Sequence, residues 1–230
     1  MSRLIPKWNL ITQRNPKSPI SESYRMLRTN IEFSTINQKL QIIMVTSSKP
    51  SEGKSTTCAN LAVAFAQASK RVLLIDADLR KPSQHHIFGT SNRNGLTTAL
   101  FNQNRLEDVV QHTSTDNLFI VHAGPTPPNP SELLSSEQMA NLLDEARKKY
   151  DVILVDTPPI MSVTDAQIVA TKSDGVVLVI DSGQVKKELV LKAKAALEHV
   201  NAKLLGVVLN NINRRNSDSY SYYYGAANDE

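Results

Sequence analysis

The sequence is poor in cysteine, in large aromatic side chains and in long apolar runs. Its one cysteine, Cys58, excludes a disulfide within the chain, and its place in a predicted helix favours a small core residue over a reactive thiol. No apolar run approaches the roughly 20 residues that a membrane-spanning helix needs, and no secretory leader is visible. We therefore expect a cytoplasmic protein that reaches a membrane only through a partner or a basic segment.

The basic charge is concentrated near the amino terminus. Residues 1–40 contain seven Lys and Arg and two Glu, a net charge of +5, whereas the remainder carries −1. Residues 1–19 contain three prolines, which oppose a helix, so we expect a basic extended leader there. Such an arm can contact anionic lipid, nucleic acid or an acidic partner, although a solvated leader is the simpler interpretation. Because Trp8 is its one large aromatic residue before Tyr24, no direct binding to nucleic acid is expected.

A phosphate-binding loop is the strongest functional signal. The segment 47–56 follows the apolar run 42–45 and precedes a helical pattern, which is the strand–loop–helix context of a P-loop. In such a loop the Lys54 amine reaches the β- and γ-phosphates of ATP, and the Ser55 hydroxyl ligates Mg²⁺. Serine stands at positions 48 and 51, where glycine is commoner, and is expected to tighten or strain the loop. The predicted nucleotide-binding residues are Ser48, Lys49, Pro50, Ser51, Glu52, Gly53, Lys54, Ser55 and Thr56.

Short apolar runs alternate with helical patterns along the chain. Continuous β-branched runs are typical of strands buried on both faces of a parallel sheet. The alternation predicts a doubly wound, mainly parallel α/β sheet of the deviant Walker ATPase kind over 20–212, followed by a flexible tyrosine-rich tail over 213–230. The predicted strands are 42–45, 72–75, 118–121, 152–155, 176–180 and 205–209. The predicted helices are 21–34, 54–69, 131–149 (capped by Ser131), 164–172 and 185–200, with short helices within 96–110.

Acidic residues close three of the predicted strands. Asp76 and Asp78 follow the second strand, Asp156 the fourth and Asp181 the fifth. Ligands bind at the carboxyl ends of strands in such sheets, and a carboxylate that closes an apolar strand needs a partner or an ion. Asp156 matches a Walker B acid, so Mg²⁺ is expected on Ser55 with Asp78 or Asp156. On an extended backbone Asp76 and Asp78 point in opposite directions, unless the strand end relaxes; Asp181 is assigned to an ordinary turn.

Four motifs resemble those of the bacterial tyrosine kinases and occur in the expected order. Glu22-Ser-Tyr-Arg25-Met-Leu-Arg28 matches their E-x-x-R-x-x-R motif. The segment Val-Leu-Leu-Ile-Asp-Ala-Asp-Leu-Arg-Lys-Pro, 72–82, resembles their second acidic Walker-type motif, and 151–159 is similar to their Walker B segment. The stretch 124–134 also resembles the family. The likeness runs from about residue 18 to the carboxyl terminus, and is to the separate kinase chain of Gram-positive bacteria.

This resemblance implies an ATP- and Mg²⁺-dependent protein-tyrosine kinase. It implies catalytic roles for Lys54, Asp76 and Asp78, with Asp76 as the base that accepts the tyrosine proton. Four tail tyrosines, which lie in a polar context without apolar periodicity, are implied as sites of autophosphorylation in trans: Tyr220, Tyr222, Tyr223 and Tyr224.

The resemblance also implies partners. Glu22, Arg25 and Arg28 lie near one helical face; the residues alone favour a solvated face, whereas the resemblance implies an interface between subunits of a homo-oligomeric ring. It further implies a transmembrane activator of the polysaccharide co-polymerase type, protein substrates with tyrosine, and a role in capsular or exopolysaccharide synthesis.

Two other functions fit the same fold. One is an ATPase switch of the partitioning or positioning type, which would hydrolyse ATP with water and would need no tyrosine tail. The other is a nucleotide-binding scaffold for a membrane partner, which would not need the complete set of lysine and carboxylates. Arg80 and Lys81, just after the acidic motif, fit either a contact with phosphate or tail, or an exposed solubilising pair.

Overall fold

Seven strands form one sheet in the computed structural model, which describes residues 10–34, 40–102 and 105–212. The strands are β1 (Ile42–Ser47), β2 (Val72–Asp76), β3 (Gln111–His112), β4 (Leu118–Val121), β5 (Val152–Asp156), β6 (Gly175–Asp181) and β7 (Leu204–Asn210). Their order across the sheet is β3-β4-β2-β5-β1-β6-β7. All neighbouring pairs are parallel except β3 and β4. The predicted doubly wound, mainly parallel α/β fold is confirmed.

The six longer strands lie where the apolar runs predicted them. Every residue of β1, β2 and β5 is buried, because these strands lie in the middle of the sheet and helices cover both of its faces. Strand β7 is largely accessible because it forms one edge. The antiparallel strand β3 was not predicted, since two residues are too few to show a period.

Helices pack on both faces of the sheet. They are α1 (Ile11–Arg14), α2 (Pro19–Phe33), α3 (Lys54–Ala66), α4 (Gln84–Phe88), α5 (Leu96–Asn102), α6 (Pro130–Ser135), α7 (Glu137–Lys149), α8 (Asp165–Ala170) and α9 (Lys187–His199). One apolar core joins α2 and α3 to the sheet, and the other joins α5 to α9 to the opposite face. Cys58 is completely buried in the first core, as expected. Among the helices of the described ranges, none combines the length with the apolar character of a membrane span.

The helix predicted over 131–149 is two helices. Ser136 has an extended conformation, which interrupts the helix, and its hydroxyl accepts the N–H of Met139 to cap α7. Ser131 is not the cap of α6: Pro130 is the first helical residue, a position that suits its fixed φ. The Ser131 hydroxyl instead donates to Asp165 at 2.9 Å.

The prediction of an extended leader is wrong for residues 10–19. Leu10 is buried, and residues 11–14 form the short helix α1. Thr12 is also buried, and both its N–H and its hydroxyl donate to the side-chain oxygen of Asn60 on α3. Pro19 begins α2 instead of opposing it, because the first position of a helix needs no N–H donor. Residues 1–9 and the predicted tail, 213–230, lie outside the described residues.

Candidate active site

The loop between β1 and α3 is held in shape by its own side chains. The Ser48 hydroxyl contacts both carboxylate oxygens of buried Glu52, at 3.0 and 3.1 Å, and the N–H of Lys49 donates to the same carboxylate at 2.9 Å. Ser51 has a φ of 68°, in the left-handed region, which costs a non-glycine residue about 1–2 kcal/mol. Serine at position 48 therefore adds hydrogen bonds, and serine at 51 introduces strain.

Asn210, at the end of β7, closes the other side of this loop. Its side-chain amide donates to the carbonyl of Glu52 at 3.0 Å. Gly53 has a φ of 86°, and a Cβ atom there would collide with the Asn210 amide nitrogen. Glycine is therefore required at position 53 by both the backbone conformation and the close approach of β7.

Lys54, the first residue of α3, is the cation at the centre of the site. Its amine donates to Asp78 at 2.9 Å and to the Ser55 hydroxyl at 3.0 Å, and it lies 3.6 Å from Asp156. Although burial opposes the charged form, the carboxylates of Asp156 and Asp78 raise the pKa of Lys54. The lysine is therefore held as a cation in a largely buried position, beside the positive end of a helix.

Two buried carboxylates stand next to each other on adjacent strands. Asp76 and Asp156 are register partners at the carboxyl ends of β2 and β5, and neither side chain is exposed. Asp76 accepts three backbone N–H groups, from Asp78, Ser83 and Gln84. Burial, and then the charge of Asp156, raise the pKa of Asp76 to about 8. Burial also raises the pKa of Asp156, which the charge of Lys54 partly offsets.

Asp76 and Asp78 do not follow the alternation of an extended strand, because the strand end relaxes between them. Strand β2 ends at Asp76, so the next residues leave the extended conformation. The N–H of Asp78 then folds back onto the Asp76 carboxylate at 3.2 Å, while its own carboxylate reaches Lys54. Lys54 consequently pairs with Asp78 and Asp156, and it also feels the charge of Asp76 at the end of β2.

Comparisons with known proteins identify the family. A family model described as an AAA domain matches residues 40–205, more than half of the chain. The chain is 49% identical over 94% of its length to tyrosine-protein kinase YwqD of Bacillus subtilis, of which it covers 91%. It is 40% identical over 84% of its length to tyrosine-protein kinase CpsD of Streptococcus agalactiae, of which it covers 83%. The chain belongs to the bacterial tyrosine-protein kinases.

Solved structures agree with this assignment. The kinase superposes on the kinase domain of Escherichia coli tyrosine kinase ETK with a TM-score of 0.87 at 35% identity, covering 94% of this chain and 84% of that one. For the chimeric protein CapA2B2 the TM-score is 0.85 at 45% identity, with 88% and 89% covered. The cell division ATPase MinD of Pyrococcus furiosus is more distant, with a TM-score of 0.65 at 26% identity over 77% and 74% of the two chains.

Some predicted site residues do not join the group around Lys54. The Lys49 amine donates instead to the carbonyl of Gln184, after β6, at 3.0 Å. Pro50, in the loop, and Thr56, in the first turn of α3, are both exposed. Asp181, the last residue of β6, accepts the N–H of Gln184 with its carbonyl, which agrees with its assignment to a turn, and its carboxylate accepts a hydrogen bond from the Asn211 side chain.

The kinase also has site residues that the sequence did not reveal. Gln84, at the start of α4, is buried and contacts Asp156 and the Ser55 carbonyl through its side-chain amide. Arg80 is exposed, as the interpretation of a solubilising residue requires, but its guanidinium also makes a bidentate pair with buried Asp165 at 2.8 and 2.9 Å. A contact of Arg80 with phosphate or tail stays a prediction. The sequence indicates the position of Gln84 only through a short helical pattern after residue 82, and five residues are too few to predict a helix from periodicity.

Glu22, Arg25 and Arg28 are all on α2, and the described contacts of the two arginines lie within this chain. Arg25 pairs with Glu22 at 2.7 Å and donates to the Pro16 carbonyl. Arg28 donates to the carbonyl of Ala64 on α3 at 3.1 Å. Their role at a subunit interface remains a prediction, and the four tail tyrosines lie outside the described residues.

The oxygen atoms near Lys54 fit a Mg²⁺ ion that is shared with a nucleotide. In the described part of the chain no three His, Cys, Asp or Glu side chains converge into a self-contained metal site. One Asp156 oxygen, Oδ1, is buried and accepts no hydrogen bond from the described residues, and the Ser55 hydroxyl and the Asp78 carboxylate are nearby. Mg²⁺ in kinases takes one or two carboxylates and completes its shell with phosphates and water, which is the donor set found here.

Proposed function

We propose that this kinase transfers the γ-phosphoryl group of ATP to tyrosine hydroxyls, including Tyr220, Tyr222, Tyr223 and Tyr224 of a neighbouring copy. The observation that carries the proposal is the convergence of Lys54 with Asp76, Asp78 and Asp156 beside a phosphate-binding loop. Catalysis of this kind depends mainly on positioning and on neutralising charge, and this group supplies both.

The P-loop would bind the phosphates. Loop N–H groups, the start of α3 and the Lys54 amine would together present positive charge to the β- and γ-phosphates. Lys54 would then exchange its bond to Asp78 for one to phosphate. Lys49 would assist only after leaving the Gln184 carbonyl.

Ser55, Asp78 and Asp156 would hold Mg²⁺. An ion held by these residues would supply neutralisation of the phosphate charge. Two carboxylate oxygens are available for this role. One is the Asp156 oxygen that accepts no hydrogen bond from the described residues, and the other is the Asp78 oxygen that Lys54 would release.

Asp76 would act as the general base. As the tyrosine oxygen forms its bond to the γ-phosphorus and the bond to the β–γ bridging oxygen breaks, the phenolic proton passes to the Asp76 carboxylate. In the nucleotide-free site its pKa is raised to about 8, so the carboxyl group would first have to lose its own proton, which the positive charge of a bound Mg²⁺ would favour. The carboxylate would then accept the proton of a phenol whose pKa is about 10.

Tail phosphorylation would weaken a homo-oligomeric ring. Each phosphate adds about −1.5 to −2 charges, so several on one segment would repel each other and the carboxylates of the site. Glu22, Arg25 and Arg28 are the proposed contacts of α2 with a neighbouring subunit. For them to act there, Arg25 would exchange its internal bond to Glu22 for one to the neighbour.

The resemblance to separate kinase chains supports a location and a pathway. The kinase would be cytoplasmic and recruited to the membrane by a transmembrane activator of the polysaccharide co-polymerase type. Its targets would include other proteins with tyrosine, and its role would be control of capsular or exopolysaccharide synthesis.

Phosphotyrosine mapping by mass spectrometry tests the reaction. Full-length protein is incubated with Mg²⁺ and ATP, with and without the cytosolic tail of an activator, and compared with Lys54→Met and the control Lys149→Met. Lys149 pairs with Glu107 and Glu145 away from the site. Phosphate on residues 220–224 in wild type and in the control, but not in Lys54→Met, is expected. ATP hydrolysis without phosphotyrosine would instead favour the ATPase switch, which the similarity of the fold to MinD also supports. Nucleotide binding without either reaction would favour the scaffold.

A further inference from the structure

Gln84 lies where three parts of the site meet. Its side chain is completely buried at the start of α4. Its Nε2 donates to Asp156 Oδ2 at 2.7 Å and to the Ser55 carbonyl at 3.1 Å, and its backbone N–H donates to Asp76 at 3.0 Å. One residue therefore touches the end of β2, the end of β5 and the first turn of α3.

The amide of Gln84 holds one of the two oxygens of the Asp156 carboxylate. A carboxylate can rotate about χ2, a broad torsion with weak intrinsic preference. The bond from Nε2 occupies Oδ2 and leaves Oδ1 on the side of Lys54, 3.6 Å from its amine and without a hydrogen bond from the described residues. Oδ1 is thus the oxygen directed toward the phosphate-binding loop.

A second polar atom of Gln84 is also consistent with a hydrated ion beside Asp156. Its carbonyl oxygen, Oε1, is buried and accepts no hydrogen bond from the described part of the chain. Buried polar atoms are rarely left unsatisfied. An acceptor beside the Asp156 carboxylate suits a donor such as a water molecule of a hydrated Mg²⁺ ion, which keeps several of its waters when it binds protein.

We propose that Gln84 is a positioning residue for Mg²⁺ binding, which fixes the orientation of Asp156 and ties it to the Ser55 backbone. The proposal rests on the metal-binding roles given to Ser55 and Asp156 above. Residues that orient metal ligands in this way typically contribute 10- to 100-fold to metal affinity or activity. Gln84 does not itself contact the reacting atoms.

The test is calorimetric titration of Mg²⁺ into the complex of the full chain with ADP, for wild type and Gln84→Met. Methionine keeps the length of the side chain and removes the donor. We expect the affinity for Mg²⁺ to fall about tenfold or more, while the affinity for ADP in the presence of a chelator changes less than about threefold. Gln84→Asn, which is too short to reach Asp156, should behave in the same way and serves if the first variant does not fold.

Gln41→Met is the matched control. Gln41 is also buried, and its Nε2 likewise donates to two groups, the carbonyls of Arg147 and Tyr150, at the opposite end of the sheet. Its replacement should lower the midpoint of urea unfolding and leave the affinity for Mg²⁺ unchanged.

Wild-type affinity for Mg²⁺ in Gln84→Met, or an equal loss in Gln41→Met, would overturn the inference. Parallel loss of Mg²⁺-free ADP binding in Gln84→Met would also overturn it, because it would indicate general distortion of the loop. A wild-type protein that binds Mg²⁺–ADP but forms no phosphotyrosine would contradict the proposed reaction alone, so the two failures are distinguishable.

Discussion

Replacing Asp76 by asparagine should make the stability of the nucleotide-free kinase less dependent on pH. Asp76 is completely buried and pairs in register with Asp156, and together these effects raise its pKa from 3.8 to about 8. Between about pH 4 and pH 8 the folded protein therefore holds a proton that the unfolded chain has lost. The free energy of unfolding consequently falls as the pH rises through this window.

The expected size follows from the width of the window. One proton changes the free energy of unfolding by about 1.4 kcal/mol per pH unit, or about 4 kcal/mol between pH 5 and pH 8. Relaxation and entry of water reduce the cost of a buried charge, so we expect about half, ~2 kcal/mol. At pH 5 the asparagine variant should be about 1 kcal/mol less stable than wild type, because its amide has one acceptor oxygen where Asp76 uses two, so its NH2 group would face a backbone N–H donor. At pH 8 it should be about 1 kcal/mol more stable.

Urea unfolding at pH 5, 6, 7 and 8, with a chelator and without nucleotide, measures this difference. With a slope of about 3 kcal/mol/M for a chain of this size, the difference between the midpoints of the two proteins should change by ~0.7 M and reverse its sign. Asp151→Asn is the control, since Asp151 is an exposed carboxylate that accepts the N–H of Arg71. Parallel midpoints for wild type and Asp76→Asn across the whole range would refute the reasoning.

Three further predictions concern other parts of the fold. Arg80→Ala leaves the buried carboxylate of Asp165 without its cation and should lower the free energy of unfolding by about 2 kcal/mol or more. An unchanged urea midpoint at pH 7 would contradict this prediction. Burial, and then the charge of His85, lower the pKa of His122 to about 4. As the pH falls from 6.5 to 4, the unfolded chain therefore takes up a proton before the folded protein does, and wild type should lose ~1–2 kcal/mol more stability than His122→Gln. Urea midpoints of the two proteins at pH 7 and pH 4.5 measure this difference. Gly53→Ala should weaken ADP binding about tenfold in a fluorescence titration, whereas Gly183→Ala, which has a similar φ of 76° and no neighbouring atoms, should not.

The sequence predicted the sheet and the main site because both depend on local patterns. Apolar runs identified six strands, and the rule that ligands bind at the carboxyl ends of strands brought Asp76 and Asp156 to one edge before any distance was known. The motif placed Lys54 at the start of a helix. Each of these inferences needs only residue type, spacing and chain order.

The parts that could not be predicted depend on contacts between distant residues. Asp165 follows a loop some eighty residues after Arg80, and nothing in either segment indicates that they pair. Thr12 lies in a segment with the composition of a leader, yet it bonds to Asn60 on α3. Alternation failed at Asp78 because a two-residue period holds only while the strand continues.

The end of strand β7 limits how far the predicted substrate tyrosines can lie from the phosphate-binding loop. Asn210, its last residue, contacts the Glu52 carbonyl, and Tyr220 and Tyr224 follow ten and fourteen residues later in the chain. A fully extended chain covers at most about 3.5 Å per residue, so these tyrosines can travel no more than roughly 35 and 50 Å from that contact. A neighbouring subunit can accept them only if its own Asp76 lies within those radii. The covalent length of this short segment therefore sets an upper limit on the spacing of subunits that could phosphorylate one another.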